Sequence, residues 1–426
     1  ARSALFLPFR HLRFIVVDEE HDGAYKQEDG VIYQARDLAV ARARFGGFPI
    51  VLASATPSLE TVVNVDLGRY DLVRLPSRYG AARMPDVATI DLRADPPAAG
   101  DWLSPRLVEG VERALGEGSQ ALLFLNRRGY APLTICRRCG HRMKAPDSDT
   151  WLVEHRFENK LVCHHTGYST PKPPACPACG AVGGLSACGP GVERVAEEAA
   201  RLWPEARRAI LSSDSSGPAQ TRATLDAMKA GEIDILIATQ IVAKGHTFPN
   251  LVFVGIVDAD IGLAGGDLRA AERTYQLLTQ VAGRAGRGAR PGRALLQTYQ
   301  PEAPVMAALA GGDRDEFLAA EAECRRALGF PPYGRLAAVI LRSRHEKTLI
   351  DTARAHRLAA PQANGADLWG PAPAPIYRLR GEARMRFLLR APRDFNVPAY
   401  LADWLSRVKV PASVRRVVDV DPYSFL

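Results

Sequence analysis

The chain of 426 residues is 47% hydrophobic and 24% charged, which is ordinary for a globular protein, argues against disorder over most of its length and allows two or three domains with hydrophobic cores. No apolar run approaches the roughly 20 residues of a membrane span, and the N-terminus lacks the cationic and apolar regions of a signal peptide, so we expect a soluble, cytoplasmic protein. The net charge of +8 favours nucleic acid over an acidic protein as a partner.

An acidic cluster follows the first predicted strand. Residues 14–17 (FIVV) form an apolar run typical of a strand buried on both faces of a parallel sheet, and Asp18, Glu19, Glu20 and His21 come directly after it. Ligands of open α/β sheets bind at the carboxyl ends of the strands. A nucleoside triphosphate site needs one carboxylate for Mg²⁺ and a second to orient the attacking water. The cluster therefore indicates nucleotide chemistry, and the alternative is a solvated turn that begins a helix.

A second apolar strand runs into a polar turn at residues 51–58 (VLASATPS). Thr56 is the predicted cap of the next helix, and Pro57 takes its first position, where the missing N–H costs nothing. Ser54 and Thr56 thus lie at the end of a strand, as the acidic cluster does. The alternative is a helix cap with no further role.

Helices and buried strands alternate from residue 103 onward, as in a parallel sheet. The predicted helices and strands are, in chain order, helix 103–115, strand 121–125, helix 192–202, strand 209–212, helix 220–229, strand 234–239 and strand 251–257. The alternation stops between residues 131 and 188. This stretch is therefore predicted to be an insertion into the second α/β region.

The insertion carries two CxxC pairs, Cys136 with Cys139 and Cys176 with Cys179. Each pair is followed by glycine, as in the knuckles of a tetrahedral four-cysteine zinc site, and without an export signal metal is favoured over disulfides. The loop between the pairs is long, but the entropy of loop closure rises only slowly with length. Four thiolates predict a closed structural site, and the alternative is free cysteines.

Residues 280–287 (QVAGRAGR) hold Gln280 and two arginines, Arg284 and Arg287. The spacing predicts both guanidinium groups on one side of a short helical segment, and such planar, permanently charged groups suit phosphate oxygens. The alternative is an arginine-rich and glycine-rich surface turn.

Past residue 301 the pattern predicts a charged helix over residues 313–328 and a strand over residues 336–341. Alternate arginines on a further strand would share one face, which suits single-stranded DNA or an acidic peptide, although a solvated face explains them as well. These arginines are Arg378, Arg380, Arg384, Arg386 and Arg390.

Three of these segments, residues 18–21, 54–56 and 280–287, resemble motifs II, III and VI of superfamily-two helicases, in the same order. Longer stretches resemble one helicase family, the replication-restart helicases known as PriA or primosomal protein N′. These stretches are SALFLPF, DEEHDGAYKQ, NRRGY, GPGVERV, ATQIVAKGHTFPNL and DVDPYSFL. The resemblance covers essentially the whole chain.

The resemblance implies an α/β fold with two RecA-like parallel-sheet helicase lobes, the first one truncated. A zinc-binding insertion interrupts the second lobe, and a small α+β domain ends the chain. The implied boundaries are residues 1–80 for the end of lobe one, 81–130 for a linker and the start of lobe two, 131–188 for the insertion, 189–300 for the rest of lobe two and 301–426 for the C-terminal domain.

The resemblance also assigns roles. Asp18 and Glu19 act in ATP hydrolysis, Arg284 or Arg287 acts across the cleft between lobes as an arginine finger, and Gln280 places the water or couples the lobes. Residues implied to contact ATP with Mg²⁺ or to sense it are Glu20, His21, Ser54, Thr56, Gln240, Lys244, Gly245 and Asp260.

Family members carry a second, inner set of cysteine pairs, which binds another zinc. Here residues 145–148 (APDS) and 163–166 (CHHT) stand in their place, so we expect one structural Zn²⁺. A second site built from Cys163 with His164, His165 or His155 is the alternative. The implied partners are forked and single-stranded DNA, single-strand-binding protein, other primosome proteins and the loader of the replicative helicase, bound by a monomer.

No GxxxxGK[ST] phosphate-binding loop occurs in the sequence, and in the family this loop lies upstream of the DEEH strand. We therefore expect the sequence to be a fragment that hydrolyses little ATP by itself. The alternative is a zinc-stabilised scaffold that binds DNA and partners without turnover. Sequence upstream of Ala1 would discriminate these two readings. A RecG-like motor is disfavoured because the cysteine insertion does not fit it.

Overall fold

A computed structural model describes most of the chain. The described residues are 2–28, 30–75, 84–98, 100–126, 134–136, 138–143, 146, 152–155, 160–162, 168–187, 192–212, 217–239, 246–263, 267–288, 290–362, 365–379 and 381–423. The chain forms two compact units, one from residues 1–72 together with 318–426 and the other from residues 73–317. Among the described helices, none is both long enough and apolar enough to cross a membrane.

The first unit begins with a small parallel sheet. Its elements are β1 (Ile15–Asp18), β2 (Lys26–Gln27), β3 (Tyr33–Gln34), α1 (Ala35–Gly46), β4 (Ile50–Ala53) and α2 (Leu59–Asp66). β1 and β4 pair in parallel with Val16 opposite Val51, so the strands predicted from the two apolar runs are neighbours. Val16 is 56% exposed and Val51 44% exposed, although strands of parallel sheets are usually covered on both faces.

The predicted cap of α2 was wrong by two residues. The helix begins after Ser58, whose hydroxyl oxygen accepts a hydrogen bond from the backbone N–H of Thr61. Thr56 and Pro57 precede it in the connecting turn. Ser58 takes the cap position because it is also fixed by a long-range contact: its backbone N–H donates to the carboxylate of Glu20 at 2.6 Å.

The second unit is built on a six-stranded parallel sheet. Its described elements are β5 (Asp86–Asp91), α3 (Pro105–Gly116), β6 (Gln120–Leu125), β7 (Thr134–Cys136), β8 (Val153–His155), β9 (Lys160–Val162), β10 (Ser169–Pro171), β11 (Leu185–Ala187), α4 (Val192–Leu202), β12 (Arg208–Leu211), α5 (Pro218–Ala230), β13 (Ile235–Ala238), β14 (Leu251–Asp258), α6 (Ala270–Ala282), β15 (Arg293–Thr298) and α7 (Pro304–Gly311).

The strand order in this sheet is β12-β13-β6-β14-β15-β5, and every pairing is parallel. All residues of the central strands β6 and β13 are buried, as continuous apolar runs predict. The predicted parallel α/β fold is therefore confirmed. Strands β7 to β11 form separate small antiparallel sheets between β6 and α4, so the cysteine-bearing stretch interrupts the main sheet as predicted.

The C-terminal part of the first unit is an α+β fold. Its elements are α8 (Arg314–Leu328, of which residues 318–328 belong to this unit), β16 (Gly334–Ser343), α9 (Glu346–Leu358), β17 (Asp367–Leu379), β18 (Glu382–Pro392), α10 (Val397–Ser406) and β19 (Val414–Val420). The strands form an antiparallel sheet in the order β17-β18-β16-β19. Phe387 and Trp404 pack edge to face in its core, with ring centroids 5.3 Å apart.

The predicted arginine stripe does not lie on a single strand. A turn at Gly381 separates β17 from β18, so Arg378 lies on β17 whereas Arg384, Arg386 and Arg390 lie on β18. Arg390 pairs with Asp367, and Arg386 is buried. Arg380 lies outside the described residues. A hairpin and neighbouring carboxylates therefore divide the arginines into sites with different surroundings.

Candidate functional site

The acidic cluster lies at the carboxyl end of β1. Asp18 ends the strand and is exposed, and its Oδ1 accepts the backbone N–H of Glu19 at 3.0 Å. Glu19 has a backbone φ of 48°, in the left-handed region that residues other than glycine rarely adopt. Its side chain is 47% exposed. Both carboxylates are thus accessible at the strand end, where a ligand of an open α/β sheet would bind.

Glu20, in contrast, is buried in a network that joins three segments. One carboxylate oxygen accepts the backbone N–H of Ser58 at 2.6 Å, and the other accepts both the Ser58 hydroxyl and Nη1 of Arg36 at 3.0 Å. The side chains of Arg36 and Glu20 are only 5% and 0% exposed. These contacts hold the end of β1 against the start of α2. A nucleotide-binding role for Glu20 stays a prediction.

Replacing Arg36 with methionine should destabilise the first unit by about 3 to 5 kcal/mol, because the Glu20 carboxylate would remain buried without its cation. Chemical denaturation followed by circular dichroism measures this change in the free energy of unfolding. Arg44→Met is a matched control, since Arg44 is an exposed arginine in the last turn of the same helix. Equal stability of the two variants would contradict the assigned role of the pair.

His21 connects the ends of β1 and β4. A hydrogen bond of 2.7 Å joins its Nδ1 to Oγ of Ser54, and Oγ of Ser54 also accepts the backbone N–H of Thr56 at 2.9 Å. His21 Nδ1 lies 3.6 Å from a carboxylate oxygen of Glu19. The structure therefore brings together the predicted residues Glu19, His21, Ser54 and Thr56, which sequence spacing alone placed in separate turns.

The two arginines of residues 280–287 lie in a turn, so the predicted helical segment was wrong. α6 ends at Ala282, and Gly283 follows as its cap. Arg284 is buried and donates from Nη1 to the backbone carbonyl of His246 at 2.6 Å. Arg287 is partly exposed and donates from Nε to the carbonyl of Gly283 at 3.0 Å. The two guanidinium groups thus have different surroundings, which the spacing did not distinguish.

Part of the remaining predicted nucleotide-sensing segment cannot be placed. Gln240, Lys244 and Gly245 lie outside the described residues. Gln280 lies half-buried in the last turn of α6. Burial, with the charges of Lys229 and Arg284, lowers the pKa of His246, which favours the neutral form of the imidazole.

Asp260 anchors the end of β15. Its two oxygens accept the Thr298 hydroxyl at 2.6 Å and the backbone N–H of Tyr299 at 2.7 Å. Its Oδ2 lies 3.2 Å from Nη2 of Arg142, and both side chains are almost inaccessible. Burial and the neighbouring Asp260 charge raise the pKa of Asp258 to about 7. The described contacts give Asp260 a structural role, linking the insertion to the sheet, and a nucleotide contact stays a prediction.

The four predicted cysteines meet in one cluster. All four sulfur atoms lie within 4.8 Å of one another, with Cys136 and Cys179 at 3.6 Å and Cys139 and Cys176 at 3.8 Å. A tetrahedral zinc site with Zn–S bonds of about 2.3 Å places its sulfur atoms about 3.8 Å apart. The cluster therefore has the dimensions of a four-thiolate zinc site.

The local backbone also suits metal-bound thiolates. In each knuckle a glycine with left-handed φ, Gly140 at 74° and Gly180 at 70°, donates its N–H to the carbonyl of the first cysteine at 2.8 Å. Burial raises the pKa of the Cys136 thiol, and the backbone N–H groups of Cys139 and Arg138 oppose that shift, because such donors stabilise a negative charge on sulfur. Cys163 and the histidines of the alternative second site lie outside the described residues or have undescribed side chains.

Sequence reasoning missed three residues that organise these sites, namely Arg36, Arg142 and Tyr423. Arg36 and Arg142 form buried ion pairs with Glu20 and Asp260, and the Tyr423 hydroxyl donates to the carbonyl of His21. Their partners lie far away in the sequence. The sequence offered a signal only for Tyr423, because residues 419–426 resemble a stretch of the helicase family. That resemblance did not indicate which residues Tyr423 contacts.

Comparisons with known proteins agree with this architecture. A family model described as the helicase conserved C-terminal domain matches residues 195–289, and one described as the primosomal protein N C-terminal domain matches residues 326–423. A solved structure, S. cerevisiae Dbp5 bound to RNA and ADP BeF3, aligns with 74% of this chain and 63% of its own at 14% identity and a TM-score of 0.37, which is too low to support an argument.

Curated relatives match throughout. The replication restart protein PriA of Rickettsia felis is 45% identical over 426 residues, which are 100% of this chain and 66% of the relative. The PriA proteins of Bacillus subtilis and Haemophilus influenzae are each 36% identical, over 100% and 99% of this chain and 54% and 58% of their own lengths. The chain thus spans just under two thirds of the R. felis relative. It belongs to the PriA family of replication restart proteins.

Proposed function

We propose that this chain is the helicase portion of an ATP-dependent DNA-unwinding motor that acts in replication restart and moves 3′ to 5′. The observation that carries the proposal is the hydrogen bond between His21 and Ser54, which joins the ends of two neighbouring parallel strands beside the accessible carboxylates of Asp18 and Glu19. A hydrolytic nucleotide site needs accessible carboxylates held in this way.

In this proposal Asp18 would hold the Mg²⁺ of bound ATP, and Glu19 would orient and deprotonate the attacking water. The Mg²⁺ would supply charge neutralisation at the phosphates. Arg287, with the more accessible guanidinium group, stabilises the charge that develops on the γ-phosphate, and Arg284 supports the turn that carries it. Gln280, Gln240, Lys244 and Gly245 keep the roles that the family resemblance implies for them. The domain boundaries implied by that resemblance are proposed with these roles.

The cysteine cluster is proposed to hold one structural Zn²⁺. Thiolates of Cys136, Cys139, Cys176 and Cys179 would leave no open position for a substrate. We further propose forked and single-stranded DNA, single-strand-binding protein, primosome proteins and the replicative helicase loader as partners of a cytoplasmic monomer. The family assignment and the net charge of +8 support these partners.

The test is unwinding and ATP hydrolysis by the protein made from its full coding sequence. Forked substrates with only a 3′ or only a 5′ single-stranded tail distinguish the direction of movement. Glu19→Gln should lower DNA-stimulated ATP turnover by roughly a hundredfold or more, because the amide cannot accept the proton of water. DNA binding without ATP turnover in the unmodified protein would indicate the scaffold alternative, and turnover that survives Glu19→Gln would contradict the assigned carboxylate.

A further inference from the structure

The residue that follows β19 is fixed to the C-terminal sheet. β19 ends at Val420, and the next residue, Asp421, donates its backbone N–H to the carbonyl of Leu336 at 2.7 Å. The Asp421 carboxylate pairs with Arg335 at 2.8 Å. β16 therefore holds residues 419–423, which we call the C-terminal latch, through one backbone hydrogen bond and one ion pair.

The latch reaches the turn that follows β1 through Tyr423. Its hydroxyl donates to the backbone carbonyl of His21, and the residue is only 8% exposed. Its ring covers Gly23 so closely that a Cβ there would lie 3.3 Å from Cε1 of the ring. Tyr423 thus contacts the backbone on both sides of Asp22, within residues 19–27, which we call the DEEH loop.

A buried ion pair makes a second connection. Nζ of Lys26, at the end of the DEEH loop, lies 2.7 Å from Oδ1 of Asp419, and the two side chains are 4% and 13% exposed. The same ammonium group donates to the carbonyls of Val420 at 3.3 Å and Asp421 at 3.4 Å. All three acceptors of Lys26 belong to one short segment, residues 419–421. Moving that segment away would leave a buried ammonium group without acceptors, so these contacts hold the segment in place.

The DEEH loop also contacts residues of the predicted nucleotide site. His21 bonds to Ser54, and the Tyr25 hydroxyl donates to the carbonyl of Asp18 at 2.7 Å. The DEEH loop is therefore held between the strand end that carries Asp18 and the C-terminal latch. Any displacement of the latch would move the backbone of His21.

We propose that the C-terminal latch positions the DEEH loop for ATP hydrolysis, with Tyr423 and the Lys26–Asp419 pair as positioning residues. This inference rests on the proposed function, since it assigns to the C-terminal domain a direct mechanical connection to the residues that orient water. It also gives the DVDPY stretch of the sequence a role. A separation of the latch from the loop would uncouple His21 from Ser54 and lower the turnover number.

The test uses the protein made from its full coding sequence, with Tyr423→Phe as the main variant. Tyr400→Phe is the matched control, because its hydroxyl also donates to a backbone carbonyl, that of Pro361 at 3.0 Å, within the C-terminal domain. Amide hydrogen exchange over residues 19–27 reports loop opening independently of activity. We expect Tyr423→Phe to speed this exchange by roughly three- to tenfold, the effect of losing one hydrogen bond, and to lower kcat for ATP without changing KM.

Lys26→Met, Asp419→Asn and the double variant provide a second measurement. The double variant should speed exchange in the loop by less than the product of the single effects, because the two side chains act as one pair. Unchanged exchange in Tyr423→Phe would overturn the latch, and faster exchange with unchanged kcat would overturn its positioning role. If the unmodified protein hydrolyses no ATP, the proposed function fails, whereas exchange alone still decides whether the latch holds the loop.

Discussion

Replacing Arg287 with alanine should lower DNA-stimulated ATP turnover by roughly a thousandfold, the lower range for loss of an arginine finger, without lowering the thermal stability of the protein. The guanidinium group of Arg287 is partly exposed and donates to the carbonyl of Gly283 at 3.0 Å and to the hydroxyl of Thr247 at 3.4 Å. Its removal costs these two hydrogen bonds but leaves no buried charge without a counter-ion, so we expect little change in the free energy of unfolding. Steady-state ATPase assays and thermal unfolding together measure the effect.

Arg284→Ala should behave differently, because Arg284 is 5% exposed and bonds to the carbonyl of His246. Loss of this bond leaves a carbonyl unpaired and a cavity beside α6, so we expect turnover and stability to fall together, with stability lower by about 1 to 3 kcal/mol. Arg222→Ala is the control, since Arg222 is an exposed arginine of α5 in the same unit. Full ATP turnover in Arg287→Ala would show that Arg287 is not the arginine finger. That role would then belong to Arg284 or to a residue outside this turn.

The fold was predictable where burial is continuous. β6 and β13 lie in the middle of the sheet and are buried throughout, so their apolar runs identified them. β5 lies at the edge of the sheet, and most of its residues are only partly buried. Its sequence, DVATID, therefore lacks a continuous apolar run and was not predicted. The hydrophobic pattern of a strand thus reflects how far it is buried, and burial differs between the centre and the edge of the same sheet.

The candidate site was predictable where its geometry is local. A CxxC knuckle is built from consecutive residues, so the spacing of Cys136 and Cys139 was sufficient to predict their approach. The network of Glu20, Arg36 and Ser58 joins three separate segments, and no spacing rule describes it. The same limit explains why Glu20 was grouped with Asp18 and Glu19, although only the latter two are accessible.

The insertion is predicted to depend on zinc for its fold. Within its described residues, the buried hydrophobic side chains form two small clusters, one around Leu152 and Leu161 and one containing Cys136, Cys176 and Leu185. Clusters of this size bury too little apolar surface to offset the conformational entropy of the segment. Binding of a structural zinc contributes about 10 to 16 kcal/mol in small zinc modules, so a zinc ion bound by the four cysteines would be the main source of stability in the insertion.

Cys176→Ser should therefore lower bound zinc from one ion per chain to nearly none and unfold the insertion. Elemental analysis of the purified protein counts the metal, and limited proteolysis between residues 134 and 187 reports unfolding. Cys324→Ser, at an exposed cysteine in α8, should change neither. Two tightly bound ions in the unmodified protein would contradict the single site. Arg142 of the insertion pairs with Asp260, a buried carboxylate two residues beyond β14. Loss of zinc should therefore also lower the melting temperature of the second unit, because this carboxylate would lose its cation.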